Sequence, residues 1–402
     1  MDGRDVWILG GARTPMADWV GAPGGGKFKD VSAIELGAVA ARAALERCGV
    51  RPELVGEVIM GSGLQSSPNA AYGARHVCLL AGLPETVPAL NVGRNCASGF
   101  QSIICAAKDV LLGEAEFVLA GGMENMSQAP YVIRDARQGF RMGDQKIEDF
   151  LVTSLFDSAC RMSMGETADK LAGLYGVTRE QADAFACESH RRAAAAARSG
   201  IFREEIVRVD VETRRGTAKV DADDHIRPDT NLEALAKIRP ASGVPTSLVT
   251  GGNASGIVDA AAAVVVSSAG AATRLGLPRL GRLAAWAVVG VDPSLMGIGA
   301  ARAIEAVLER AGMRLEAIDL FEINEAFAAQ YLAVERHLGL DPERVNVNGG
   351  AIALGHPLGM TGTRLTHTLL LELRRRSLQY GVASACVGGG QGVAVLVEAF
   401  PD

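Results

Sequence analysis

The sequence predicts an α/β protein made of two similar halves with a more polar segment inserted between them, and three observations carry that prediction. Strand-like and helix-like stretches alternate over residues 1–120 and resume after residue 256. Eleven residues, Leu45 to Val55, return as Leu308 to Ile318 at a constant offset of 263, with Leu, Glu, Arg, Gly, Arg and Glu identical in register. Self-similarity of this kind marks a duplicated structural unit. From 121 to 256 basic residues cluster (Arg134, Arg137, Arg141 and Lys146, later Arg191, Arg192, Arg198 and Arg203), and amphipathic helical patterns stand near Glu166–Tyr175 and Thr178–Arg198. The divisions expected are 1–120, 121–256, with a return to the first half near its end, and 257–402.

In order, Val6–Leu9 reads as a buried strand, Ser32–Cys48 as an Ala-rich helix closed by Gly49, and Glu57–Met60 as a strand. Pro88–Val92 reads as a short buried strand, Ala97–Leu112 as a helix stopped by Gly113, and Glu116–Ala120 as a strand. In the second half, Ala262–Ser267 and Arg282–Val291 read as strands, Gly297–Ala311 as a helix, Leu320–Ile323 as a strand and Ala326–His337 as a helix. Strand Val345–Val347, helix Met360–Arg375 and strands Tyr380–Ser384 and Val393–Glu398 complete the alternation.

Composition excludes several classes of function. At 402 residues the chain exceeds what one core usually holds, and with 48% hydrophobic and 21% charged residues it is of ordinary globular composition. A net charge of −6 argues against nucleic acid as a partner, while local basic clusters leave room for a small anion. The seven cysteines are odd in number, widely spaced and without a C-x-x-C, which indicates neither a disulfide framework nor a zinc site and points to a reducing compartment. The N-terminus enters a strand at once without a signal-peptide pattern, and no apolar run reaches the roughly 18 residues of a membrane span, so no membrane and a cytoplasmic location are expected. Gly21, Gly26 and Lys27 match part of a phosphate loop, but Phe28 stands where Ser or Thr must ligate magnesium, which rejects an NTPase.

Reactive residue types gather at four places. Cys96 stands between a strand and a helix, near a helix N-terminus, where unpaired N–H groups and the macrodipole favour a thiolate and bring a cysteine pKa to roughly 3.5–7.5. On position alone, the alternative of a small buried apolar residue stays open. Asn324 ends a strand as a helix begins, as an N-cap or as an amide that fixes a water or a substrate oxygen. His356 lies before Pro357 in a loop with Gly349, Gly350, Gly355 and Gly359, where backbone can approach a ligand closely. Cys386 precedes Gly388, Gly389 and Gly390; Val393 stands where a dinucleotide loop needs its third glycine, and a strand follows, so a tight turn between strands is the other reading.

Taken together, Asn-Cys-Ala-Ser-Gly around Cys96, Gly-Gly-Met-Glu-Asn-Met-Ser at 121–127, Gly-Asn-Ala-Ser-Gly at 252–256, Asn-Glu-Ala-Phe-Ala at 324–328, Asn-Gly-Gly-Ala-Ile-Ala-Leu-Gly-His-Pro at 348–357 and Cys-Val-Gly-Gly-Gly at 386–390 resemble the thiolase family over essentially the whole chain. The resemblance implies a five-layered αβαβα fold from two duplicated halves, with an inserted loop domain that holds coenzyme A. It implies an acyltransferase that cleaves 3-ketoacyl-CoA with CoA, or runs the reverse Claisen condensation, through an acyl-cysteine. CoA is then a substrate, no cofactor is permanently bound, and the assembly is a homodimer or homotetramer.

By motif, Cys96 is implied as nucleophile, His356 as its base, Cys386 as acid/base at the acetyl α-carbon, and Asn324 as holder of a water. The N–H groups of Cys96 and Gly388 are implied as an oxyanion hole. Asp223-Asp224-His225-Ile226-Arg227 resembles the segment whose arginine lies near the CoA pyrophosphate and adenine, and Ser255 matches a residue on the pantetheine amide side. Met164 belongs to a loop-domain motif that reads His-Met-Gly in acetoacetyl-CoA-preferring members and Ser163-Met164-Gly165 here. A second departure is Ile257-Val258-Asp259-Ala260, where the family commonly has Asn-Asp-Gly. A decarboxylating ketoacyl synthase would resemble two histidines rather than His356 plus Cys386. A noncatalytic acyl-CoA-binding homologue would not need all four reactive positions filled.

Overall fold

The structure, a computed structural model, describes residues 5–20 and 25–400. Met1–Arg4 and residues 21–24 of the rejected phosphate-loop match lie outside the described residues; Phe28, beside that match, is fully buried in the core.

Nine strands build the main sheet among the described residues: β1 (Val6–Arg13), β2 (Glu57–Gly61), β3 (Ala89–Val92), β4 (Phe117–Glu124), β5 (Val258–Ser268), β6 (Gly281–Gly290), β7 (Leu320–Ile323), β8 (Tyr380–Val387) and β9 (Gln391–Ala399), with the short Ala17–Asp18 paired to β5 as a tenth. Their order is β7-β8-β9-β6-β1-β5-β4-β2-β3. Only two residue pairs, Trp7 with Arg282 and Ile8 with Gly281, join β1 to β6, so the ladder divides there into a sheet for each half.

The helices that matter are α1 (Ala33–Cys48), α2 (Gly73–Leu80), α3 (Ser98–Leu112), α4 (Met164–Tyr175), α5 (Arg179–Ser199), α6 (Gly299–Ala311), α7 (Ala328–Leu338) and α8 (Leu358–Arg375). Strand alternation sends successive side chains to opposite layers. In β5, Ala261, Ala263 and Val265 join the core under α1 and α2, whereas Val264 and Val266 join the core around α3 and α8. In β9, Val393, Val395 and Val397 face that same middle core, and Ala394 and Leu396 face α6 and α7. The five layers are therefore α1/α2, first-half strands, α3/α8, second-half strands and α6/α7. α8 is buried on nearly every side because it lies in the middle layer.

The duplication reaches beyond the eleven residues that revealed it. The offset of 263 carries α1 onto α6, β2 onto β7, α3 onto α8 and β4 onto β8. Gly49 and Gly312 close α1 and α6 with the same left-handed backbone, φ 64° and 65°, followed in each half by a short 3₁₀ turn.

Three expectations change. Pro88–Val92 is an edge strand, not a buried one: β3 pairs only with β2, and Leu90 and Asn91 are exposed. Val345–Val347 is not a strand but a single bridge from Val345 to Phe321, because Asn346 is left-handed at φ 46°. Its amide replaces the ladder, accepting from Ile323 N and donating to Ile323 O, both at 2.8 Å. The strand read near Ala262 at the start of the second half, β5, lies between β1 and β4 of the first.

The inserted segment docks by buried charge. Arg13 of β1 is buried and donates to Glu205 at 2.7 Å and to both oxygens of Asp223 at 2.7 and 2.9 Å. Three carboxylate contacts offset the desolvation of the guanidinium, so this pair of carboxylates fixes the segment against β1.

Candidate active site

One cavity of about 450 Å³ opens where the two halves and the inserted segment meet. Cys96 lines it from the first half; Met126, Leu155, Ser163, Met164, Val249 and Ser255 from the inserted segment; and Met296, Phe327, His356, Leu358 and Cys386 from the second half. Of the residues singled out in the sequence, the structure brings Cys96, His356, Cys386, Met164 and Ser255 to this cavity, whereas Asn324, Gly388 and Arg227 do not line it.

Cys96 sits in a 3₁₀ turn, Asn95–Ala97, immediately ahead of α3, with Asn95 left-handed at φ 42°. That turn is tied across the cavity: Asn95 Nδ2 donates to Gly388 O at 3.3 Å, and Arg94 donates to Gln391 Oε1 at 2.6 Å. The thiol is not lowered as its place near a helix start led one to expect. Burial pushes it up to about 11, and the backbone N–H groups of Gly388 and of Cys96 itself pull it partway back. The resting form is thus a thiol.

The His356 ring is oriented by Thr361. Thr361 Oγ1 has one proton, which it donates to Pro357 O at 3.0 Å, so toward His356 Nδ1 at 2.6 Å it accepts. This network assigns the imidazole proton to Nδ1 and leaves the lone pair on Nε2. Burial, with Arg364 adding to it, pushes the imidazole down to about 3, so the ring is neutral and able to accept a proton.

Asn324 Nδ2 meets His356 Nε2 at 3.3 Å, while its Oδ1 is buried with no protein partner. An unpaired buried acceptor costs about 1–3 kcal/mol, which marks the place where a water or a substrate group belongs. The N-cap reading of Asn324 fails, because α7 starts later and Phe327 is its cap.

Cys386 is the penultimate residue of β8, and the turn that follows closes a hairpin onto β9 with Gly389 and Gly390 at positive φ. The tight-turn reading is therefore right for the backbone, and it presents Cys386 to the cavity while Gly388 stands behind it, outside the lining. Burial and the neighbouring Cys96 push the Cys386 thiol far up, so it rests protonated. A Cβ on Gly388 would lie 3.2 Å from Met164 Sδ, which places Met164 of α4 against this turn.

Arg227 does not line the cavity. Its guanidinium bonds Asp18 Oδ2 at 2.5 Å and Asp224 O at 2.7 Å, while its backbone N–H donates to His190 Nδ1 at 3.1 Å. The departure at 257–260 leaves the backbone regular. Val258, Asp259 and Ala260 open β5 fully buried, and Asp259 accepts from Ser127 N at 3.0 Å and Ser127 Oγ at 2.5 Å. Sequence reasoning gave no role to Thr361 or to Glu124, whose carboxylate lies under the turn that carries Cys96. Glu124 stood inside a quoted motif and Thr361 one turn past His356, but only the fold shows what each touches.

A thiol, a neutral imidazole and a second thiol around one apolar cavity, on a duplicated α/β scaffold, are the parts of an acyl-transferring enzyme. The chain belongs to the thiolase family: residues 6–270 match the thiolase N-terminal domain and residues 277–399 the thiolase C-terminal domain. It is 47% identical over 396 residues to the human mitochondrial 3-ketoacyl-CoA thiolase, covering 98% of each chain. It is 46% identical over 396 residues to an acetyl-CoA acetyltransferase of Cupriavidus necator, covering 98% of this chain and 99% of that one. The crystal structure of the human mitochondrial thiolase in complex with CoA superposes with a TM-score of 0.94 at 46% identity, over 99% of this chain and 98% of that one.

Proposed function

We propose that the chain catalyses CoA-dependent thiolysis of 3-ketoacyl-CoA to acetyl-CoA and a shortened acyl-CoA, and the reverse condensation, with Cys96 as nucleophile. The observation that carries this is the convergence of Cys96, His356 and Cys386 on one cavity, with Nε2 of His356 unprotonated and able to accept. The ketone carbon is attacked by Cys96 Sγ as its proton passes to His356 Nε2, and the oxyanion is met by N–H groups at 96 and 388. The bond to the α-carbon then breaks, and Cys386 protonates the departing acetyl-CoA enolate. The thiol of CoA attacks the acyl-cysteine next; its proton restores Cys386, and His356 returns the first proton to Cys96. Each oxyanion-hole donor is worth about 2.7–4 kcal/mol of barrier.

CoA is a substrate in this scheme, not a resident cofactor. We place the pantetheine of CoA against Ser255 and Met164 and the CoA phosphates toward Arg227, with the CoA-holding segment of 121–256 running from the end of β4 to β5, which returns to the first half. We further propose a homodimer or homotetramer, supported by the open outer edge of β3 and by exposed Tyr131, Phe140, Met142 and Ile147. A reducing, cytoplasmic compartment is supported by seven cysteines that are all free. Mixing the protein with acetyl-CoA and reading the mass of the Cys96 peptide tests the chemistry: an acetyl adduct is expected, and a protein that only binds acyl-CoA gives none.

A further inference from the structure

Cys96 belongs to the first half and His356 to the second, so acyl transfer needs a device that sets one against the other. We propose that Glu124 is a positioning residue that fixes the Cys96–His356 register by tying the first turn of α8 to the first half. This rests on the acyl-transfer reading of the cavity.

Glu124 ends β4 and is fully buried. Its carboxylate accepts from Gly359 N at 2.8 Å, from Gly63 N at 2.7 Å and from Leu64 N at 3.0 Å, with Ser62 Oγ at 3.5 Å. Gly359 is the second residue of α8 and stands three residues after His356. An acid from one half thus serves the unpaired N–H groups at the start of a helix from the other, where negative charge is favoured. Backbone meets backbone around this tie. A Cβ on Gly122 would lie 1.8 Å from Gly359 O, and one on Gly359 2.6 Å from Met123 O. Along the same face of α8, a Cβ on Gly99 would lie 2.6 Å from Thr363 N and 2.9 Å from Gly359 O, so the helix behind Cys96 touches the helix behind His356. The close approach sets how near the two backbones lie, and the hydrogen-bonded carboxylate resists both sliding and separation. Glu124 does not line the cavity, so it acts through Gly359 and the loop that carries His356.

The test compares E124Q and E124D with the parent in four readouts: thermal melting, CoA affinity, acetylation of Cys96 by acetyl-CoA, and alkylation of Cys96 by iodoacetamide at high pH. E124Q keeps the shape but turns an amide N–H₂ toward backbone donors; E124D keeps the charge and withdraws it by one methylene. In both, acetylation should fall on the order of 10²-fold, the usual effect of a misplacement of about 1 Å, with CoA affinity within threefold of the parent. Alkylation at high pH, which needs the thiolate but not His356, should be no slower than in the parent. Equal losses of acetylation and alkylation, or insolubility of both variants, would make Glu124 a support of the whole fold and overturn the positioning role. Unchanged acetylation overturns it as well. A parent that is not acetylated refutes the acyl-transfer reading itself and takes this role with it.

Discussion

Two thiols in one cavity answer two different proton problems, and single substitutions should separate them. Moving an acyl group between Cys96 and CoA displaces no carbon-bound proton, whereas making or breaking the carbon–carbon bond does. C386A should therefore still exchange its acetyl group with labelled CoA while losing on the order of 10²–10⁴-fold in thiolysis, the usual worth of a positioned acid or base. If both activities fell together, Cys386 would be serving acylation or the fold. C96S should lose both, because a hydroxyl in a site that already holds a thiol neutral cannot supply the nucleophile; normal turnover would remove Cys96 from that role. T361V tests the imidazole. Without the acceptor for Nδ1–H, the cation formed on proton transfer loses a hydrogen bond worth about 1.5–3 kcal/mol, so kcat should fall roughly ten- to a hundredfold with KM little changed. R227A should raise KM for CoA more than it lowers kcat, and equal CoA affinity in variant and parent would show that the phosphates lie elsewhere.

Elements were legible where their ends carry local signals. Ser32, Ser163 and Thr178 each cap a helix with a reciprocating Glu35, Glu166 or Gln181, and left-handed Gly49, Gly176 and Gly200 close the same three. Signals of this sort sit within a few residues of each other and need no tertiary neighbour. Burial and charge state do need one. Pro88–Val92 has an apolar pattern, but its outer side has no neighbouring strand. Cys96 has a helix ahead of it, but the packing around it pushes its thiol up all the same. Glu124 was invisible for the same reason, since Gly63, Leu64 and Gly359 are distant in sequence; Thr361 bonds residues no more than five away, but no local signal tells how the His356 ring turns. The glycine contact of β4 with α8 gives the element-scale test: G122A sets a Cβ against Gly359 O, a backbone atom that cannot rotate away. Its cost should reach the upper end of overpacking, about 3 kcal/mol or more, read as a lowered denaturation midpoint. A midpoint within error of the parent would mean the two backbones are free to part.

Across the whole molecule, buried titratable groups set opposing dependences on acidity. His190, His356 and His367 are pushed by burial down to about 4, 3 and 4 from 6.5. The unfolded chain protonates them first, so stability falls as pH drops below about 6.5. Glu124 and Glu322 are pushed up to about 7 and 8 from 4.5, so the folded state keeps protons the unfolded chain has lost, and stability falls as pH rises through that window. On these five groups the melting temperature should peak near pH 6.5, and H367Q should shallow the acid limb alone; a maximum above pH 8 would refute the balance. A second consequence follows from the seam at β1 and β6, where two residue pairs carry the ladder across. The peptide chain between Ser268 and Gly281 acts there as a tether, holding each half at a high effective concentration of the other. Cut in that connection, the molecule should become a two-component system whose rate rises with the product of fragment concentrations, each fragment silent alone because Cys96 lies in one and His356 and Cys386 in the other.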